Sequence, residues 1–385
     1  MISLSKYLLN NSQNPFKLSK ADKEKLLSLD KEFGDLIYTY RSDRNWKDVL
    51  NLDEEYDKFI NARERGIKYY PKLKMHPNKF SENGLLERLE SLRNKFMNFK
   101  CFLSKYYIES INDYIVKVKY TMKKNAGVPN TYYLDTPPSL EMYESALKII
   151  KENPYEVIKE GDRTIKAEKA KDILQKYIDE LGYGWNIVLN DEMMPRMNVN
   201  TDKTMRINST ALFSNDDLEG LKQHEIEGHI GRRYYGMKTG LNLFLYGLLG
   251  RNTLDEGLAV YNSLHKVKNV KKNVLFNIAL KTVVVYQLNK MDFCELFDFV
   301  RSLTDTMPDK KIFSVLTRSK REILDMSLPG GWHDDMSYFV GYNIVKKMTD
   351  KERDDVLKYN IGPDQIKDLP DIKRFLKQNK FPSLI

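Results

Sequence analysis

A chain of 385 residues, 41% of them hydrophobic, is long enough to bury a sizeable core, and 24 tyrosines with 17 phenylalanines exclude a disordered composition despite 30% charged residues. Cys101 and Cys294 lie far apart with no second Cys or His at ligand spacing, which reads as two reduced thiols rather than a disulfide framework. The net charge of +9 is local: residues 61–130 hold 15 Lys plus Arg against 6 Asp plus Glu, while the rest carries 48 of each sign. Such a surplus points to an acidic partner or to a solvated helical face. No RNA- or DNA-binding motif accompanies it, which disfavours nucleic acid.

In chain order, the opening MISLSKYLLNNSQNPF has too short an apolar stretch for a signal-peptide core. Residues 18–60 and 80–125 repeat Leu, Ile, Phe and Tyr at three- and four-residue spacing and predict helices. Between them, YYPKLKMHPNKFSENG breaks helix with two prolines and a glycine, and NAGVPNTYYLDTPPSLE (125–141) marks a second break. Helices are expected over 139–152 and 165–181, the latter stopping at Gly182. WNIVLN (185–190), MPRMNVN (194–200) and TMRINST (204–210) are short, partly alternating and divided by turn residues, which predicts a small antiparallel sheet. Ser214 and Asp217 give a helix-start signal before Leu218 and Leu221, and helical patterning continues to the end. The apolar run 241–250 is too short to span a bilayer and Lys281 interrupts 274–288, so a soluble, cytoplasmic protein without a membrane partner is expected. The predicted class is α+β, a predominantly helical domain with the small sheet beside its central helix. Three regions are expected: a basic helical part (1–130), a catalytic part (131–350) and a helical extension packed on it (351–385).

Two of the five histidines fall in QHEIEGHIGRR, where His224, Glu225 and His229 form H-E-x-x-x-H on the helix that starts at Ser214. The familiar zinc-protease motif spaces its histidines by four, leaving the rings roughly 40° apart around a helix. A spacing of five leaves them about 140° apart, too far to share one ion. The reading therefore requires a local π-bulge, with Gly228 supplying backbone freedom. Catalytic zinc takes three protein ligands and keeps one position for water. Glu256, in NTLDEGLAVYNSL, follows His229 by 27 residues across a connector whose YYGMKTGLNLFLYGLLG stretch has four glycines, and is the candidate third ligand. On spacing alone Asp255 is an alternative, and Thr253–Glu256 also fits a helix-capping box. Glu225, beside the first ligand, is the candidate base for the attacking water, whose pKa the metal lowers.

With these residues in place, HEIEGH followed by DEGLAV resembles the tyrosine carboxypeptidase-like metalloprotein family, which includes the microtubule-associated tyrosine carboxypeptidases. Thr253, Glu256, Gly257, Leu258 and Ala259 match its T-x-E-G-L-A segment, which implies Glu256 as third ligand to one Zn2+ per chain. WNIVLNDEMMPRMNVNTDKTMRINST resembles the strands before the family's metal helix, and LTRSKRE (316–322) its arginine-containing segment. HDDMSYFVGYNIV (333–345) resembles its D-x-x-Y-x-x-G stretch through Asp335, Tyr338 and Gly341. The connector departs from the family, with Tyr235-Gly236 and Thr239-Gly240-Leu241 where Asn-Gly and Gln-Pro-Leu are usual. The similarity is good over 160–350, loose over 45–160 and not visible over 1–45.

The resemblance implies a zinc metallocarboxypeptidase that removes a C-terminal, Tyr-like aromatic residue from a protein. The acidic tail of tubulin would suit the basic region, which would make the reaction a detyrosination. Arg318 and Arg321 are candidates to hold the terminal carboxylate, because the guanidinium fork suits bidentate capture. Met197 and Asn198 lie on the strand expected to pair with substrate backbone. Tyr338 is a candidate donor to the oxyanion of the tetrahedral intermediate. Two other readings compete. HEIEGH also fits the H-E-x-x-G-H of dipeptidyl peptidase III-like exopeptidases, but the E-G-L-A segment and the short gap to Glu256 favour the first family. The third is a non-proteolytic binding or regulatory protein with a basic docking surface, against which the intact Glu225 argues.

Overall fold

The computed structural model describes residues 15–42, 49–75, 83–125, 137–157, 163–191, 193, 196–200, 202–267, 273–320, 323 and 325–385. Helices α1 (Lys20–Ser42), α2 (Leu52–Glu64), α3 (Leu85–Asn98), α4 (Ser104–Asn125) and α5 (Leu140–Glu152) lead the chain. Each long predicted stretch thus divides in two. Between α3 and α4 the break is local chemistry: the Ser104 hydroxyl accepts from the Cys101 backbone N–H at 3.1 Å and closes a turn.

A two-residue strand, β1 (Ile165–Lys166), leads into α6 (Ala167–Leu181), which stops where predicted, at Gly182 in the left-handed region. Strands β2 (Asn186–Asn190), β3 (Met197–Val199) and β4 (Thr204–Asn208) form a sheet in the order β2-β4-β3, and β5 (Leu212–Phe213) pairs with β1. The sheet is mixed, not wholly antiparallel as predicted: β3 and β4 are antiparallel, but β2 and β4 run parallel. The reason is burial. Met205 and Ile207 of β4 are fully buried, so β4 takes the centre and the chain crosses to the far edge before returning. That leaves β3 as an edge strand packed against the central helix.

Ser214 caps α7 (Asn215–Leu221): its hydroxyl accepts from the Asp217 N–H at 3.0 Å, and the Asp217 carboxylate accepts from the Ser214 N–H at 3.2 Å. Without interruption α7 becomes a π-helical segment, Lys222–Ile230, and then α8 (Gly231–Lys238). There follow α9 (Asn242–Tyr246), α10 (Arg251–His265), α11 (Val274–Gln287), α12 (Phe293–Leu303), α13 (Asp309–Lys320), α14 (Ser337–Val345), α15 (Asp350–Tyr359) and α16 (Leu369–Asn379). No helix among the described residues is long and apolar enough to cross a membrane.

Three cores hold this together. One joins the N-terminal helices to α9, α10 and the C-terminal helices, a second surrounds α11 to α13, and a third sits between α6, the sheet and the π-segment. The first core is pinned by a buried carboxylate. Asp30 accepts from the backbone N–H groups of Asn242 and Leu243, at 2.8 and 3.1 Å, and from the Tyr107 hydroxyl at 2.6 Å. It thereby caps α9 from a distant helix, satisfying donors that a helix start leaves open.

Several lysines of the basic stretch pair within the protein. Lys95 pairs with Glu32 at 2.8 Å, Lys105 with Asp368 at 2.9 Å, Lys117 with Asp113 at 2.5 Å and Lys119 with Glu90 at 3.5 Å. The side chains of Lys123 and Lys124 lie outside the described residues.

Helix α14 crosses α10 at backbone contact. A Cβ on Gly341 would overlap the Thr253 carbonyl oxygen, and one on Gly257 would overlap the Gly341 backbone. Gly341→Ala should therefore cost at least about 1–3 kcal/mol, the usual range for overpacking a rigid interior. Gly220, in α7 with nothing within 4 Å of its would-be Cβ, is the control. Gly220→Ala should gain roughly 0.5–1 kcal/mol from helix propensity. Urea midpoints of both variants check the contrast.

Candidate metal centre

The spacing problem posed by H-E-x-x-x-H is solved by the backbone. Over Lys222–Ile230 the chain makes i→i+5 turns, so residues five apart stack on one face. The widening extends over nine residues, beyond the local bulge that the spacing alone required. The imidazoles of His224 and His229 stand 5.1 Å apart between centroids. Gly228 does not have a positive φ; its role is close approach, since a Cβ there would come within 3.1 Å of the Ala259 Cβ on α10.

That approach brings Glu256 to the histidines. Its Oε2 lies 3.8 Å from His224 Nε2 and 3.6 Å from His229 Nε2, and one donor atom of each residue falls within 4.8 Å of the others. Tetrahedral zinc bonds near 2.0–2.1 Å would place ligand atoms roughly 3.3 Å apart, so the two Glu256 approaches need to close by only a few tenths of an ångström. Helix α10 starts at Arg251 after Gly250, so Glu256 lies inside the helix and the capping-box alternative does not apply.

The other ring nitrogens are fixed. His229 Nδ1–H donates to Asp255 Oδ1 at 3.0 Å. His224 Nδ1–H faces the Ser263 oxygen at 3.3 Å, while the Ser263 hydroxyl donates to the Ala259 carbonyl at 3.0 Å. Such partners set the tautomer and turn each Nε2 lone pair inward, as in known metal sites. Asp255 therefore supports His229 and stands outside the three-residue cluster. It is a buried hub: Arg251 reaches its Oδ2 at 3.3 Å and Arg232 its Oδ1 at 3.8 Å. Burial alone would raise its pKa, but His229, Arg232 and Arg251 hold it well below the usual carboxylate range.

The electrostatics of the cluster suit a cation. Burial pushes Glu256 up to about 7, and its Oε2 is buried with no hydrogen-bond partner among the described residues. Burial opposes protonation of His229, yet the carboxylates of Asp255 and Glu256 raise it to about 9. An orphaned carboxylate oxygen beside two oriented imidazoles is a donor set that fits a divalent ion such as zinc. Glu225 is half-buried next to His224 and acts electrostatically on both His229 and Glu256.

The remaining candidates are distributed around this centre. Met197 and Asn198 lie on edge strand β3, Met197 buried and Asn198 half-buried with an orphaned side-chain oxygen. Tyr338 is half-buried, with Lys281 Nζ 3.7 Å from its ring centroid, and burial pushes its phenol well above the usual range. Arg318 gives its Nε and Nη2 to Asp335 at 2.9 and 2.8 Å, so one edge of its fork is already filled. Arg321 lies outside the described residues. Sequence reasoning missed the supporting roles of Asp255 and Ser263, and the arginines Arg232, Arg233 and Arg251. The signal for the first two was spacing: one residue before Glu256, and one turn beyond Ala259.

Comparison with known proteins finds similar sequences. The family model described as microtubule-associated tyrosine carboxypeptidase matches residues 59–379. A human protein named "Putative tyrosine carboxypeptidase MATCAP2" is 35% identical over 129 residues, which is 32% of this chain. The match spans 24% of that relative's length.

The hub and the cluster should respond oppositely to mutation in metal-free protein. Asp255→Ala leaves buried cations without their carboxylate and should cost about 3–5 kcal/mol. Glu256→Gln removes a buried carboxylate that burial penalises more than His229 supports, and should be neutral or stabilising by up to about 1 kcal/mol. Denaturant titration in the presence of a chelator distinguishes them. A large loss from Glu256→Gln would show that the carboxylate is held by the fold instead.

Proposed function

We propose, since this chain belongs to the microtubule-associated tyrosine carboxypeptidase family, that it is a zinc-dependent carboxypeptidase removing a C-terminal, Tyr-like aromatic residue from a protein with an acidic tail, such as tubulin. The observation that carries the reading is the convergence of His224, His229 and Glu256 on one point, with Glu225 beside it and both histidines oriented from behind. Bound zinc would supply a Lewis acid and lower the pKa of a water in its open position.

The protein's own groups divide the remaining work. His224 and His229 present Nε2, and Glu256 its Oε2, as the ligand set. Glu225 takes the proton of the attacking water and later returns it to the leaving amine, which is general base and acid work. Edge strand β3 has an unpaired side on which an extended peptide can add as a further strand, in register with Met197 and Asn198. Tyr338 stays protonated at neutral pH because burial disfavours its phenolate, so it remains a hydrogen-bond donor suited to a developing oxyanion. Arg318 and Tyr338 lie near enough to act electrostatically on each other and on Glu256.

Purified protein should bind about one zinc per chain, and His224→Ala or His229→Ala should abolish stoichiometric binding. Glu225→Gln keeps the shape but removes the proton acceptor; it should retain zinc and lower kcat by at least about 10²-fold. Metal analysis and release of free C-terminal tyrosine from peptides provide the two readouts. Near-normal turnover by Glu225→Gln would remove Glu225 as the base and would favour a structural role for the metal.

A further inference from the structure

Four guanidinium groups gather beside the three-residue cluster. Helix α10 runs antiparallel to the central helix: Ser263 lies against His224, Ala259 against Gly228, and Asp255 against His229. Arg233 stands one turn beyond His229 on the central helix, and Arg251 one turn before Asp255 on α10. Residues four apart share a helix face, so the antiparallel register brings both arginines to the same end. Arg232 lies beneath them, fully buried, with its Nη2 donating to the Ile361 carbonyl at 3.0 Å. Arg41 reaches in from α1, donating to the Tyr114 hydroxyl at 3.1 Å with its guanidinium 5.2 Å from the Tyr246 ring centroid.

Glu225 acts electrostatically on Arg233 and Asp334 on Arg251, but among the described residues neither lies within ion-pair distance of these arginines. Asp255 serves Arg232, Arg251 and His229 together. Among the described residues Arg41 and Arg233 form no ion pair, and Arg233 Nη1 is buried without a hydrogen-bond partner. A buried guanidinium donor left unpaired is costly, and an anion is the natural complement. Burial, with Arg251 and Arg41 adding to it, lowers Arg233 only to about 10, so it stays charged at neutral pH. Arg318, by contrast, already has Asp335 across its fork.

We propose that Arg233, backed by Arg41 and Arg251, forms the subsite that binds a substrate carboxylate next to the scissile bond, while Asp335 keeps Arg318 engaged. This rests on the carboxypeptidase reading above. A peptide offers two such carboxylates: the α-carboxylate of its last residue, and the side chain of an acidic residue before it.

The test measures calorimetric binding to zinc-loaded Glu225→Gln protein. The probes are N-acetylated Ala-Ala-Glu-Tyr, its Ala-Ala-Gln-Tyr counterpart and the C-terminal amide of the first. Arg233→Gln should weaken the parent peptide by at least about tenfold, since it strips a desolvated charge of its partner. Arg233→Lys should restore part of that, and Arg41→Gln should act in the same direction with a smaller factor. One altered peptide should show the same loss on unsubstituted protein and no further loss on Arg233→Gln: the amide if the subsite takes the α-carboxylate, the Gln peptide if it takes the side chain. Zinc content and melting temperature report whether each variant is folded, and Arg41→Gln carries the test if Arg233→Gln does not fold. Equal losses for all three peptides, no loss, or no peptide binding would overturn the subsite. Arg233-dependent binding without release of tyrosine by wild-type protein would leave the subsite standing and remove the carboxypeptidase reading. Hydrolysis indifferent to Arg233→Gln would do the reverse.

Discussion

Three helices meet at separations that only small residues allow, and the ligand cluster depends on those separations. Gly228 and Ala259 bring the π-segment against α10, and Gly257 and Gly341 bring α10 against α14. A glutamate side chain spans only a few ångströms, so Glu256 reaches the histidines because its backbone is already close to theirs. A larger residue at any of these contacts would push a helix outward and open the 3.6 and 3.8 Å approaches. The glycine and alanine of E-G-L-A, and the glycine of D-x-x-Y-x-x-G, are therefore part of the site although none offers a ligand atom.

Behind the cluster stands Asp255. A single carboxylate orients His229 and offsets the charge of Arg232 and Arg251, all inside a region where an unpaired charge costs several kcal/mol. In front of it, Glu256 has no such support. The protein thus places a well-satisfied carboxylate one residue before an unsatisfied one. Adjacent residues on a helix point about 100° apart, so one faces the supporting arginines and the other faces the histidines. On the proposed reading, stability is concentrated in the first and binding capacity in the second, the separation expected where a site must hold a ligand that the fold itself does not supply.

Much of this was legible in the sequence because its signals are local. The helix stop at Gly182, the Ser214–Asp217 cap and the spacing from His224 to His229 each reflect chemistry within a few residues. The demand for a widened helix followed from angular arithmetic alone, and the backbone meets it. What stayed hidden depends on packing between distant segments. The parallel pairing of β2 with β4 is set by which strand buries Met205 and Ile207, not by the turn after Asn190. Spacing could not separate Asp255 from Glu256 as ligand, because that choice turns on how α10 is rotated against the π-segment. The same is true of Gly228, whose freedom in φ goes unused while its lack of a side chain matters. Arg318 is a candidate for the carboxylate by residue type, but Asp335, seventeen residues later, already fills one edge of its fork.

The N-terminal helices then acquire a place in the chemistry. An exopeptidase differs from an endopeptidase in having a cleft that ends shortly past the scissile bond, and something must build that end. Here α1 is fastened to the connector between the ligand-bearing helices through Asp30, which caps α9 at Asn242 and Leu243. The same helix delivers Arg41 to the arginine group, braced on Tyr114 and Tyr246 from two further helices. Helix α1 lies before residue 59, where the family match begins, yet it contributes to the first core alongside α10. On the proposed reading, the ligand-bearing helices supply the reacting groups and α1 helps to close the cleft behind the substrate's last residue. On that reading a cationic end would also favour one direction of entry: a peptide terminating in a carboxylate would gain from reaching it, and a chain that continues past it would leave Arg233 unpaired.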